Sequence, residues 1–145
     1  MKRKAIILTV ISLLFALLFT QMGATAAASH DYATALEYSI LFFDANKCGP
    51  DAATNNVFDW RGPCHTTDGS DIGIDLTGGY HDAGDHVKFG LPQAYTAAIL
   101  GWSLYEYKDV FDSTGDTQKL LSTLKYFTDY LLKCHPDANT FYYQV

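Results

Sequence analysis

The chain has 145 residues and carries sixteen acidic side chains against ten basic ones, a formal net charge of −6. Such a surface repels phosphate backbones and argues against nucleic acid as a partner, while a neutral polymer such as a polysaccharide meets no such penalty. Ten Tyr, nine Phe and two Trp suit a sugar binder, whose flat rings cover pyranose faces, and equally suit an ordinary apolar core.

The first segment reads as a targeting signal. Lys2, Arg3 and Lys4 precede a nearly unbroken apolar run over residues 5–19, followed by small-residue steps at Ala24-Thr25-Ala26 and Ala26-Ala27-Ala28. That order predicts a secretory signal peptide over residues 1–28, with the mature chain at 29–145 secreted and extracellular. The apolar run is shorter than the ~20 residues of a membrane-spanning helix, so no membrane partner is expected after cleavage. Without residues 1–28 the chain keeps seven basic against sixteen acidic groups, a net of −9.

Residues 31–45 predict a helix that Asp31 can cap, with Tyr32, Leu36, Ser39, Ile40 and Phe43 at helical spacing. Periodicity then vanishes over 47–90, a segment rich in Gly, Asp and His. A loop of that length in a compact protein is functional or disordered, and Phe58, Trp60, Tyr80 and Phe89 argue against disorder. A second helix is expected over 91–110, with Pro92 in its first turn and an apolar face of Tyr95, Ala98, Ile99, Trp102, Leu104 and Tyr105. Asp112-Ser113-Thr114-Gly115 joins it to a third helix starting near 116 or 117 and ending before Pro136. That helix is expected to bury Leu120, Leu121, Leu124, Phe127, Leu131 and Leu132, and the short link favours antiparallel neighbours. The run Phe141-Tyr142-Tyr143-Gln144-Val145 is strand-like and apolar, with no turn or polar tail after it. An unpaired apolar strand invites aggregation, so the chain reads as the front of a longer protein. The fold class is all-α, a toroid or bundle with the rich loop at one rim.

Within that loop, Asp82-Ala83-Gly84-Asp85 sets two carboxylates three residues apart across small spacers. A sharp turn there aims both at one small volume, such as a water molecule, the arrangement general-base hydrolysis requires. A plain surface Asp-Gly turn is the alternative.

Asp59-Trp60-Arg61-Gly62, the run from Asp75 through Gly78-Gly79-Tyr80-His81-Asp82-Ala83-Gly84-Asp85-His86 to Phe89, and Leu91-Pro92-Gln93-Ala94-Tyr95 together closely resemble the N-terminal catalytic region of family 9 glycoside hydrolases, the cellulases of endoglucanase and cellobiohydrolase type. The resemblance runs from about Tyr32 to Val145. It implies the first helices and the long active-site loop of an (α/α)6 barrel that is incomplete here. It further implies inverting hydrolysis of β-1,4-glucosidic bonds in cellulose or β-glucan chains, with Asp85 as general base and Asp82 positioning the water. Inversion needs a distant carboxylic acid as well. In the family this is a Glu in a later part of the domain, and neither Glu37 nor Glu106 matches its context. Trp60, Arg61 and Tyr80 are implied sugar contacts, and any of them could instead pack beneath the loop. A scaffold-docking segment or carbohydrate-binding module would lie beyond Val145.

Some members of that family carry a zinc bound by two Cys and two His in this loop. Cys48 and Cys64-His65 resemble that arrangement, and His86 is taken as the fourth ligand because His81 directly precedes Asp82. A Cys48–Cys64 disulfide is the alternative in a secreted protein. Cys134, at the end of the third helix, reads as a buried small hydrophobe, and His135 as a helix-end residue. Asp68-Gly69-Ser70-Asp71 and Asp75 offer oxygens suited to calcium, but EF-hand spacing is absent and a solvated turn is the simpler reading. Calcium is left to the part of such a domain outside these residues. Two other functions fit parts of the pattern. One is a non-catalytic truncated carbohydrate-binding or structural module. The other is a metallo-phosphohydrolase using His81-Asp82 and Asp85-His86, which lacks further ligands and has the wrong charge for phosphate.

Overall fold

The computed structural model describes residues 30–145; the expected signal peptide over 1–28 lies outside the described residues. Residues Tyr32–Val145 form one compact unit with four α-helices: α1 (Tyr32–Asn46), α2 (Gly90–Glu106), α3 (Lys108–Thr114) and α4 (Thr117–Lys133). Among the described residues the only extended pairings are four isolated antiparallel bridges, so the unit is all-helical. No described helix is long and apolar enough to cross a membrane.

Helix boundaries follow local chemistry. Pro92 sits in the first turn of α2, where a missing N–H leaves no hydrogen bond unmade. The helix expected over 91–110 breaks at Tyr107, whose backbone leaves the helical region at φ −122°, and α3 follows as a separate short helix. Gly115 closes α3 in the left-handed conformation, and its N–H donates to Asp112 O. The chain thereby reverses, and α4 packs against α2 while α1 packs against α4.

The core lies along these contacts. Ile40, Leu104, Phe111 and Leu120 form one buried cluster, with Leu36, Leu100 and Leu124 against it. Tyr80, Ala97 and Phe127 form a second, flanked by Phe43 and Tyr126. Pairing 97 with 127 and 104 with 120 makes α2 and α4 antiparallel, as the short link predicts.

The buried stripe of α2 differs from the expected one. Gln93, Ala97 and Leu104 are buried and Leu100 is half-buried, whereas Tyr95, Ala98, Ile99, Trp102 and Tyr105 face outward. A helix that is apolar all round carries no sequence signal for which side packs first. In α4, Leu120 and Phe127 are buried and Leu124 and Leu131 half-buried as expected, but Leu121 and Leu132 are exposed, and Thr123 and Tyr130 take the buried positions. Tyr32, at the start of α1, is exposed too.

The terminal run is paired, contrary to its reading as a loose strand. Lys88 N–H donates to Val145 O (2.7 Å), Val145 N–H to Lys88 O (3.1 Å) and Gly90 N–H to Tyr143 O (2.7 Å). Tyr142 and Val145 pack against Leu76, Tyr130 and the buried Cys134. Residues 141–145 thus brace the point where the long loop enters α2, while the His135 ring stands against Phe141.

Candidate active site and metal centre

Residues 47–89 form the long loop, with a single 3-10 turn at Ser70–Ile72. Two bridges fold its first limb back on itself, Lys47 with Tyr80 and Gly49 with Cys64. Cys48 N–H donates to Gly79 O (2.8 Å) and His81 N–H to Asn46 O (3.2 Å), so residues 79–81 run beside the end of α1. This close approach needs glycine at Gly79. Its φ is +76°, and a Cβ there would fall 2.6 Å from Tyr130 Cδ1 and 2.7 Å from Gln93 Oε1. That Gln93 oxygen accepts the Tyr80 N–H at 2.9 Å.

Past His81 the chain bends over 83–86 and presents Asp82 and Asp85 to solvent. Asp85 Oδ1 accepts the Val87 N–H (3.2 Å), which orients its carboxylate. Asp82 lines a cleft of about 220 Å³ with Phe42, Asn46, Gln93 and Thr96. Gly84, read as a spacer that permits the turn, has no positive φ, and a Cβ there would meet nothing within 4 Å. It leaves open space beside the carboxylates and is not required by the backbone.

Lys88 anchors the far end of the bend. It is 1% exposed, and its ammonium donates to Leu76 O (2.7 Å) and Gly78 O (3.1 Å), pairs with Asp68 Oδ2 (2.7 Å) and lies 4.6 Å from the centre of the Tyr130 ring. A buried cation is tolerable only when its donors are satisfied in this way. Asp75 pairs with Lys133 (2.9 Å) and accepts from Thr77 N–H and Oγ1. The Thr77 hydroxyl bond and then the Lys133 contact pull its carboxyl down to about 2. Asp68 and Asp75 therefore serve ammonium groups of the fold, which supports the turn reading of that acidic stretch over a calcium site.

Cys48, Cys64, His65 and His81 form a cluster whose donor atoms all lie within 4.8 Å of one another. The fourth donor is His81, not His86. The Lys47–Tyr80 bridge carries residue 81 to the cysteines, with its ring 4.7 Å from that of His65, while His86 sits on the outer limb of the bend, 5.7 Å from His65 and exposed. Both cysteines are free thiols, so the disulfide is not formed. Two sulfurs and two imidazoles suit a tetrahedral soft-metal site, and the residues fit one in further ways. His65 Nδ1 and His81 Nδ1 are buried with no hydrogen-bond partner, and such atoms ordinarily have one. His65 holds a left-handed backbone (φ 49°), strain of the kind found at ligand sites. Burial, with smaller effects of His65 and Lys88, lowers the His81 pKa and favours the neutral, ligating imidazole. Burial pushes the Cys48 thiol up to about 12, with Lys88 opposing and Cys64 adding to the rise. Two sulfurs so close ionise together only around a cation.

The expected sugar contacts part company. Trp60 is 64% exposed beside Phe58 and is available to a ligand. Tyr80 is 3% exposed, stacked among Phe43, Tyr126 and Phe127 with its hydroxyl toward Thr123 O; it is a core residue, because its bridge to Lys47 turns the ring inward. Arg61 points its guanidinium at Lys47 O and Cys64 Sγ. Lys88 and Gln93 were missed as anchors. A lone Lys between Val87 and Phe89 is the signal that could have found the first. Glu37 pairs with Lys119 across α1 and α4 (2.7 Å).

The helical layer thus presents two loop-borne carboxylates beside a cluster of two cysteines and two histidines that could hold a metal ion. The family model for glycosyl hydrolase family 9 matches residues 32–145, and the chain belongs to that family. It is 46% identical over 118 residues to Endoglucanase A of Bacillus pumilus, which covers 81% of this chain and 18% of that protein. It is also 46% identical over 122 residues to Endoglucanase 5 of Oryza sativa subsp. japonica, covering 84% and 23%. Among solved structures, the cellulase Cel9M of C. cellulolyticum in complex with cellobiose superposes with a TM-score of 0.80 at 76% identity, over 82% of this chain and 28% of that one. The endoglucanase of the termite Nasutitermes takasagoensis superposes at 0.76 with 41% identity, over 81% and 27%. The chain thus spans about a fifth of the curated relatives and supplies the first helices and long loop of an (α/α)6 barrel.

Proposed function

We propose that the whole protein hydrolyses β-1,4-glucosidic bonds in cellulose or related β-glucans with inversion. In this reading Asp85 is the general base, Asp82 helps to position the water, and the acid Glu lies outside this chain. The observation that carries it is the bend itself. Two exposed carboxylates stand three residues apart, one lining a cleft, on a segment held at both ends by buried polar contacts. Preorganised flanks let a base meet its water without reordering the chain. The relatives support the substrate class, being cellulases and endoglucanases, one of them crystallised with cellobiose.

Zinc is the metal proposed for Cys48, Cys64, His65 and His81, as a structural cross-link. Bound there it supplies no step of the reaction; the four residues hold the loop's two limbs together beneath the bend. Residues 1–28 are proposed to export the protein, on the order of basic, apolar and small residues alone.

The test is made on the complete enzyme. Asp85→Asn is expected to lower turnover on a soluble cellulose derivative by about 10²–10⁴-fold, with affinity for cello-oligosaccharides little changed. NMR of the first product should show the α-anomer. Near-wild-type turnover of Asp85→Asn removes the base assignment, and a β-anomeric first product removes inversion.

A further inference from the structure

We infer that Arg61 is a positioning residue of the Cys48, Cys64, His65 and His81 centre, setting the spacing of its two cysteine arms for a divalent metal ion. The inference rests on reading that cluster as a metal site. One guanidinium nitrogen, Nη2, donates both to the carbonyl oxygen of Lys47 and to Cys64 Sγ, the latter at 3.2 Å. Lys47 is bonded directly to Cys48, so a single donor atom ties the chain carrying the first sulfur to the second sulfur itself. The backbone delivers it there: the Arg61 N–H closes a turn onto Phe58 O (3.2 Å), and Cys64 follows three residues later.

The direction of the side chain separates this role from sugar binding. Trp60 projects into solvent, whereas Arg61 is half-buried and its Nε has no solvent contact and no partner. The other cations near the cluster are engaged elsewhere. The Lys47 ammonium pairs with Asp44 (2.7 Å) and the Lys88 ammonium with Asp68 (2.7 Å). Of the three, Arg61 is the one whose cationic head donates directly to a cysteine sulfur. A guanidinium does this without deprotonating and in a planar fork, and partners behind the ligands of a metal set their orientation and affinity.

The experiment uses the complete protein, with zinc affinity read by competition against a chromophoric chelator and geometry read from the sulfur-to-metal charge-transfer band after loading with Co²⁺. Arg61→Met is expected to weaken zinc binding by about 10–100-fold and to shift the cobalt band. Its thermal midpoint in excess chelator should fall less than its midpoint with zinc bound, so that the rise on adding zinc shrinks. Unchanged zinc affinity overturns the inference, as does an equal fall in midpoint with and without zinc. Retained zinc affinity with loss of cellotetraose binding overturns it too and returns Arg61 to the sugar site. A wild-type protein that binds no zinc defeats the metal reading itself, a result distinct from a variant that binds as well as wild type. Should Arg61→Met not fold, Arg61→Gln keeps a donor without the charge and carries the same comparison with the same outcomes.

Discussion

Asp82 and Asp85 stand on an exposed bend with open space over Gly84, whereas the chain on either side of them is tied down by buried polar groups. On one side, His81 joins the cysteine cluster and donates its N–H to Asn46 O. On the other, Lys88 is held by two carbonyls, a carboxylate and an aromatic face, with the 141–145 segment paired to its backbone. The difference shows how one loop supplies both accessibility and precision. On the catalytic reading proposed for Asp82 and Asp85, the groups that would meet a substrate are left unencumbered, and their positions are set by neighbours that would not touch it.

If the limbs govern the bend, damage to a limb should cost stability and position together, while changes on the bend should cost neither. Lys88→Met is the severest case. It strips Asp68 and two buried carbonyls of their partner and should destabilise the catalytic domain by about 3 kcal/mol, read from denaturant unfolding. A loss below about 1 kcal/mol on the same scale would mean that the buried ammonium is not an anchor. Gly79→Ala comes next, at about 2 kcal/mol, because the new methyl meets Tyr130 and Gln93 at a positive φ. Asp75 contributes less and declares itself through pH. Its folded pKa of about 2 lies below the ordinary carboxyl value, so its pairing stabilises the fold fully above pH ~4 and is lost as pH falls from ~4 toward 2. Asp75→Asn should flatten the acid limb of the stability curve in that window, and an unaltered limb would show that the Thr77 and Lys133 contacts do not hold in solution. Gly84→Ala, on the bend, should leave stability within about 0.5 kcal/mol. A larger loss there would erase the contrast between bend and limbs.

Much of this was legible in the chain. Helical periodicity placed α1 and α4 to within a residue or two at each end, since their boundaries are written in local residues such as Pro136. The loop was legible from its glycines and lost periodicity, and the carboxylate pair from small residues in a distinctive context. Two features were not: the break at Tyr107 has no Gly or Pro to announce it, and the terminal run finds its partner more than fifty residues away at Lys88.

Motif and periodicity are local properties of the chain, and they suffice for the family, the helical class and the residue types of the candidate site. The packing of distant segments settles which face of α2 is buried, that Tyr80 belongs to the core, that His81 rather than His86 completes the cluster, and that Arg61 faces sulfur. Each of those depends on which segments meet in space. A bridge from Lys47 to Tyr80 turns one side chain inward and places the next beside the cysteines, and no pattern within either segment records that meeting.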